Sequence, residues 1–159
     1  MFKLKRIIIE KITISAIIIL SLANCSKDQN SFLPYVKIDK FIPLANFNHL
    51  LIPGNSILFQ DKGYRGLIVV CVNPDQNMYF AFDACCPYET DYSGIVEVKP
   101  IPGTFPPRTI FSSDYTAVCN KCGSEFSLLG SGLPLKGPAT LYLKRYNVIS
   151  GIGSLTVTN

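Results

Sequence analysis

Residues 67–89 read LIVVCVNPDQNMYFAFDACCPYE, which is two apolar runs followed by a pair of adjacent cysteines. The run at residues 67–72 is continuously apolar and rich in β-branched side chains, which is typical of a buried strand. Residues 73–75 (NPD) break the run with turn-forming side chains, and residues 78–82 (MYFAF) resume it. The stretch therefore predicts a buried β-hairpin that leads directly into a cysteine-bearing loop.

Strand signals recur on both sides of this hairpin. Short apolar or alternating runs separated by proline and glycine occupy residues 36–42, 56–60, 96–98, 115–118, 141–148 and 155–158. Residues 46–50 indicate a single helical turn, and residues 99–108 (KPIPGTFPPR) hold four prolines that predict a rigid loop. We therefore predict an all-β domain over residues 34–159, a small antiparallel β-sandwich or barrel with two cysteine-bearing loops.

The first 24 residues have the composition of an export signal. Basic residues open the segment, and residues 12–23 then run without a charge, which is shorter than the roughly 20 apolar residues that span a bilayer. The run ends at Leu22-Ala23-Asn24-Cys25, which resembles the lipobox at which bacterial lipoproteins are cut and lipidated. We therefore predict a signal peptide at residues 1–24, a lipid on Cys25 and a tether over residues 25–33. An ordinary secretory signal and an uncut anchor helix are the alternatives.

Localisation and partners follow from this segment. A lipid on Cys25 attaches the domain to a membrane of the bacterial cell envelope, and Ser26 in the next position favours the outer membrane. Four of the 15 lysines and arginines lie in residues 1–24, so the formal net charge of +4 belongs largely to that segment. The remainder is nearly neutral and gives no support to nucleic-acid binding, which requires a clustered basic surface.

Cysteines carry the informative chemistry of the domain. Six are present, and five of them follow the lipidation site. Residues 83–89 (DACCPYE) come directly after the predicted hairpin, and residues 119–126 (CNKCGSEF) lie between two strand-like runs. A Cys-x-x-Cys spacing lets both thiols converge on one metal or on each other, and a second cysteine loop in a small domain favours a shared site. Cys71 lies inside a predicted strand and is interpreted as a small core side chain.

These two loops and their surroundings resemble the Rieske family of iron–sulfur proteins. A strand ending in AFD runs into a Cys-Pro pair, GSEF follows the second loop, and glycine-rich turns precede residues 141–148. The similarity covers roughly residues 41–157. In that family, a Cys-x-His loop and a Cys-x-x-His loop hold a 2Fe-2S cluster, with both cysteines on one iron and both histidines on the other.

Carried over by residue, the resemblance implies that Cys86 and Cys119 are the cysteine ligands. It places Tyr88 and Cys122 at the two histidine positions, and His49, the single histidine of the chain, matches neither. An ordinary Rieske centre, in which two imidazoles bind one iron, therefore cannot form in this protein.

Three chemistries remain open for these residues. One is an atypical 2Fe-2S cluster with thiolate ligands from Cys86, Cys119, Cys122 and, on a bent loop, Cys85, with a potential near the roughly −400 mV of thiolate-ligated clusters. Tyr88 is a poorer ligand because a phenol must lose a proton with a pKa of about 10. The second is a disulfide from Cys86 to Cys119 or Cys122, which would contribute about 3–4 kcal/mol. The third is a structural zinc held by four thiolates, although adjacent cysteines are unusual zinc ligands.

Two classes of function follow from these alternatives. The first is an electron carrier that passes single electrons from an atypical 2Fe-2S cluster to a redox protein partner. The second is a cluster-free, disulfide-stapled lipoprotein with a binding or structural role. A stand-alone enzyme is disfavoured, because Rieske oxygenases use a separate mononuclear-iron domain and 159 residues leave no room for one.

Overall fold

The structure is a computed structural model, and it describes residues 33–89, 91–98 and 115–159. The predicted signal peptide, the lipidation site Cys25, nearly all of the tether and the proline-rich residues 99–108 lie outside these ranges. Within them, none of the helices has the length and apolar character that a membrane span requires.

The described chain contains strands β1 to β10 and two short 3-10 helices. The strands are β1 (Asp39–Pro43), β2 (Ser56–Phe59), β3 (Leu67–Asn73), β4 (Met78–Asp83), β5 (Val96–Val98), β6 (Thr116–Cys119), β7 (Glu125–Ser127), β8 (Leu133–Lys136), β9 (Arg145–Gly151) and β10 (Ser154–Thr158). The 3-10 helices are Leu44–Asn46 and Asn48–Leu51, so His49 lies in a short helical turn as the sequence indicated. The prediction of an all-β domain is confirmed.

Two antiparallel sheets are formed by these strands. The first has the order β1-β10-β9-β4-β3-β2, and the second has the order β5-β6-β7-β8. β4 and β9 pair at only two positions, Ala81 with Tyr146 and Phe82 with Arg145. The larger sheet therefore consists of two three-stranded parts that join at its middle, which gives the small antiparallel architecture that the sequence predicted.

The β3–β4 hairpin lies at the centre of the molecule, between two hydrophobic cores. Ile68 and Phe82 face a core that they share with side chains of β5, β6 and β7. Leu67, Val69 and Cys71 face a second core, which includes side chains of β1 and β10. Because both faces of β3 are covered, its sequence is continuously apolar instead of alternating. The predicted hairpin and the core position of Cys71 are confirmed.

Two elements differ from the sequence prediction. β8 (Leu133–Lys136) was not predicted, because its sequence LPLK contains Pro134, which cannot donate to a sheet ladder. The structure places β8 at the outer edge of the smaller sheet, where proline is tolerated. The strand predicted over residues 141–148 begins only at Arg145, so residues 141–144 form a connection instead.

Candidate thiol and metal centre

The first cysteine loop joins the end of β4 to the start of β5. Val96 donates its N–H to Ala84 at 2.7 Å, and Cys86 donates its N–H to Gly94 at 2.9 Å. Cys85 forms an isolated antiparallel bridge with Ile95. These bonds hold the two cysteines in extended backbone at the base of the loop, so the positions of their side chains are fixed by strand pairing.

A tight turn after β6 carries the second cysteine loop. The N–H of Cys119 donates to Ser124 at 2.8 Å, and the N–H of Gly123 donates back to Cys119 at 3.1 Å. Gly123 has a φ of 71°, the left-handed conformation that glycine adopts without strain. Asn120 ties this turn to the first loop, because its N–H donates to the carbonyl of Ile95 at 2.9 Å.

Three thiols converge where the two loops meet. The Sγ atoms of Cys86, Cys119 and Cys122 all lie within 4.8 Å of one another. The Sγ atoms of Cys86 and Cys122 are 3.7 Å apart. Cys86 and Cys119 are buried at one end of the first core, whereas Cys122 is partly exposed. The two loops that are separated in the sequence thus form one thiol group, and we refer to these three residues by that name.

Cys85 does not belong to the thiol group. The Sγ of Cys85 faces the carbonyl oxygens of Cys86 and Tyr92, at 3.8 Å and 3.9 Å. This direction follows from the extended backbone, in which consecutive side chains point to opposite sides. Half of the Tyr88 side chain is exposed. Of the residues proposed from the sequence to hold a metal, the structure brings together three.

The thiols differ in how readily they lose a proton. Burial raises the pKa of Cys86, although the backbone N–H of Tyr88 donates to its sulfur and opposes this effect. Burial also raises the pKa of Cys122. Hydrogen bonds from Ser124 and the neighbouring thiols outweigh this effect, so the pKa of Cys122 is lowered overall. Cys122 therefore becomes a thiolate more readily than Cys86, and the thiolate is the form that binds metals and attacks electrophiles.

Ser124 is a functional residue that the sequence analysis did not single out. Its Oγ lies 3.1 Å from the Sγ of Cys122 and accepts the N–H of Ala139 at 3.1 Å. Since the oxygen already accepts one hydrogen bond, its own proton is available to the sulfur. The fully buried Ser124 thus connects the thiol group to the turn that precedes β9. A Cys-x-x-Cys followed by glycine and serine is the only sequence signal for this role.

Asp83 organises the base of the first loop from a fully buried position. Its carboxylate accepts the backbone N–H of Tyr64 at 2.5 Å, of Arg65 at 3.2 Å and of Cys85 at 2.9 Å. It also accepts the hydroxyl of Tyr146 at 2.8 Å. Burial strongly raises the pKa of Tyr146, and the negative charge of Asp83 raises it further. One carboxylate therefore joins β4, β9 and two loops beside the thiol group.

Lys121 bridges the two loops on the outer side of the thiol group. Its Nζ lies 3.3 Å from a carboxylate oxygen of Glu89 and 3.1 Å from one of Asp91. It also lies 2.5 Å from the Oγ of Ser93. All three acceptors belong to the first loop, whereas Lys121 lies between the two cysteines of the second. The sequence alone gives no signal for these contacts, because the acceptors lie about 30 residues away along the chain.

Gly94 leaves no space for a side chain beside the thiol group. A Cβ built there would lie 2.5 Å from the Cγ of Glu89 and 3.0 Å from both the Sγ of Cys119 and the Cβ of Cys86. We expect Gly94→Ala to push the loops apart and to lower the free energy of unfolding by about 1–3 kcal/mol, as overpacking does. Urea unfolding measures this loss.

Gly151→Ala is the matched control, because its Cβ would meet the flexible Ser154 Oγ at 3.0 Å, far along the chain from the thiols. We expect that variant to unfold within about 1 kcal/mol of the wild type. Equal unfolding midpoints for Gly94→Ala and the wild type would contradict the prediction, because they would show that the loops accommodate the added methyl group without strain.

The donor set fits a soft metal and does not fit an ordinary Rieske centre. No imidazole belongs to the group within the described residues, which agrees with the sequence analysis. Two thiolates on one tetrahedral metal with bonds near 2.3 Å are about 3.8 Å apart, and the Cys86 and Cys122 sulfurs are 3.7 Å apart. Thiolates are the ligands of iron–sulfur clusters and of structural zinc, so the group provides three of the four ligands that such a centre requires.

Of the comparisons with known proteins, only the one with solved structures found matches. No protein-family model matches the sequence, and no curated protein matches it. A chain from the complex of reduced oxygenase and oxidized ferredoxin in carbazole 1,9a-dioxygenase is 18% identical, with a TM-score of 0.48, over 77% of this chain and 91% of that one. The ferredoxin of carbazole 1,9a-dioxygenase from Nocardioides aromaticivorans IC177 is 17% identical, with a TM-score of 0.45, over 77% and 95%. A ferredoxin of Sphingomonas yanoikuyae B1 is 18% identical, with a TM-score of 0.43, over 79% and 99%. These identities are too low to transfer a residue's role to this chain.

Proposed function

We propose that this chain is a lipid-anchored envelope protein whose Rieske-like β domain holds an atypical iron–sulfur cluster and passes single electrons to a protein partner. The observation that carries the proposal is the convergence of Cys86, Cys119 and Cys122 from two loops to within 4.8 Å. Packing of the core alone does not require three sulfur atoms from two separate loops to lie this close together.

The chemistry of the ligands sets the properties of such a centre. Three thiolates without histidine place its reduction potential near the roughly −400 mV of thiolate-ligated clusters, well below the range of Rieske centres. Without a coordinated imidazole, the potential does not follow pH through the titration of a histidine. Cys122 is the partly exposed member of the group, so electron exchange with a partner takes place on that side.

The membrane anchor in this proposal rests on the sequence of residues 1–25. A charged start, an apolar run and a cysteine at its end favour cleavage before Cys25 and lipidation of that residue. We propose the outer membrane as the location. Mass spectrometry of the N-terminal peptide of the mature protein tests the anchor separately from the thiol centre.

Metal analysis tests the proposed centre directly. The full chain is purified anaerobically from membranes in detergent, and its iron, sulfide and zinc are measured together with absorbance between about 320 and 600 nm. We expect iron and acid-labile sulfide in equal amounts and a coloured protein that bleaches on reduction. A colourless protein that takes up no iron during anaerobic reconstitution would overturn the proposal, and bound zinc alone would identify a structural metal site.

A second candidate function is supported by the 3.7 Å contact between the sulfurs of Cys86 and Cys122. A small side-chain movement brings these atoms to the S–S bonding distance of about 2.05 Å. The bond would staple the two loops in an oxidising compartment and leave a cluster-free binding or structural lipoprotein. Intact mass after alkylation distinguishes the two functions, because the stapled protein has two fewer reactive thiols and no iron.

A further inference from the structure

The structure assigns Lys121 as a positioning residue that latches the first cysteine loop over the thiol group and limits access to its buried sulfurs. We call the contacts of Lys121 with Glu89, Asp91 and Ser93 the latch. This inference concerns the metal-free thiols, so it holds or fails independently of cluster binding.

The position of the latch supports this role. Lys121 lies between the two cysteines of the Cys-x-x-Cys turn. Its ammonium group contacts three acceptors on the opposite loop, Glu89, Asp91 and Ser93. Two hydrogen bonds between the loops join Ile95 and Asn120: the N–H of Asn120 donates to the carbonyl of Ile95, and the N–H of Ile95 donates to the side-chain oxygen of Asn120. The described part of the loop tip, residues 87–89 and 91–93, is therefore held to the second loop through the side chain of Lys121.

Glu89 connects the latch to the sulfur atoms. Its side chain is only 13% exposed, and its Cγ lies against Gly94, at the point where Gly94 also approaches the Sγ of Cys119 and the Cβ of Cys86. A carboxylate in this position would repel nearby thiolates if no cation faced it. Lys121 supplies that positive charge, and it keeps the loop tip in contact with the group.

The expected strength of the latch is modest but measurable. A single exposed ion pair contributes little, because water and salt screen it and two side chains must be ordered. Here one ammonium group contacts three acceptors on the same loop. The side-chain entropy lost on ordering Lys121 is therefore offset by several contacts instead of one. Since the acceptors are partly exposed, the latch is also expected to weaken as ionic strength rises.

Alkylation of individual cysteines tests the latch in the full-length, metal-free protein kept reduced under argon. Iodoacetamide labelling is followed by peptide mass spectrometry. We expect Lys121→Met to speed the modification of Cys86 and Cys119 by about three- to ten-fold. Cys71, which is buried in the second core, should keep its wild-type rate. Faster labelling of Cys71 in parallel would mean global unfolding and would overturn the inference.

Two further variants and a salt series complete the test. Lys121→Arg should keep most of the protection, because it retains the charge. Lys136→Met removes an exposed lysine that pairs with Glu125 at 3.8 Å and should leave all rates unchanged. About 1 M salt should speed labelling of Cys86 in the wild type and not in Lys121→Met. Wild-type rates in Lys121→Met, equal acceleration by Lys136→Met, or wild-type labelling that does not respond to salt would each overturn the latch.

Discussion

If the chain holds the proposed cluster, replacing Cys86 with alanine is expected to lower the iron content of the purified protein to less than about one tenth of the wild-type value, because the change removes one of the three converging thiols proposed as its ligands. Cys86 is the only member of the group on the first loop within the described residues. Its loss therefore leaves both remaining thiols on one turn, without a ligand from the opposite side. Iron and sulfide analysis of protein purified anaerobically measures the effect.

Cys85→Ala is an unusually well-matched control for this experiment. Cys85 is adjacent in sequence, is equally buried and loses the same atoms on substitution to alanine. Its Sγ, however, faces the carbonyl oxygens of Cys86 and Tyr92. We expect Cys85→Ala to keep the iron content and visible spectrum of the wild type. Loss of iron from Cys85→Ala together with retention in Cys86→Ala would show that the two side chains exchange roles when the centre is assembled.

Replacing Asp83 with alanine is expected to lower the free energy of unfolding by about 3–5 kcal/mol. The fully buried carboxylate accepts three backbone N–H groups and one hydroxyl. Hydrogen bonds to a charged group contribute about 1.5–3 kcal/mol each, and the alanine variant leaves buried donors without partners. Relief from burying the charge offsets part of the loss. Urea unfolding followed by circular dichroism provides the measurement.

Asp61→Ala is the control for Asp83, because it removes the same carboxylate from an exposed position. Asp61 contacts Lys40 at 3.4 Å, and its side chain is 64% exposed. We expect that variant to change the free energy of unfolding by less than about 1 kcal/mol. A loss below about 1 kcal/mol for Asp83→Ala would mean that water replaces the carboxylate and that Asp83 does not hold the first cysteine loop in place.

The strands could be predicted from the sequence wherever burial leaves a clear pattern. β3 and β4 were predicted because both of their faces are covered, so their apolar runs are continuous. β8 was missed because it lies at a sheet edge, with Leu133 and Leu135 exposed and Pro134 between them. β8 has no buried side chain, so its pairing with β7 leaves no burial pattern in the sequence.

Within the site, the sequence named both adjacent cysteines as candidates. The resemblance placed Cys86 at a ligand position, and Cys85 was kept as a fourth ligand on a bent loop. The hydrogen bond from the N–H of Cys86 to Gly94 fixes the side to which each one points. Ser124, Gly94 and Lys121 carried no distinctive pattern, because each acts through a neighbour on another loop.

The sequence by itself determined that this domain is all-β and that its two cysteine-bearing loops carry no histidine. The residue types and the spacing of the apolar residues carry that information, because strand burial and ligand chemistry depend on single side chains and their near neighbours in the sequence. Only the tertiary structure decided that the sulfurs of Cys86, Cys119 and Cys122 lie close together while that of Cys85 points away. Only the structure decided, too, that Asp83 accepts hydrogen bonds at the base of the first loop and that Lys121 contacts Glu89 across the two loops. These relations join residues far apart in the chain, and they depend on strand pairing that brings the loops to the same end of one core.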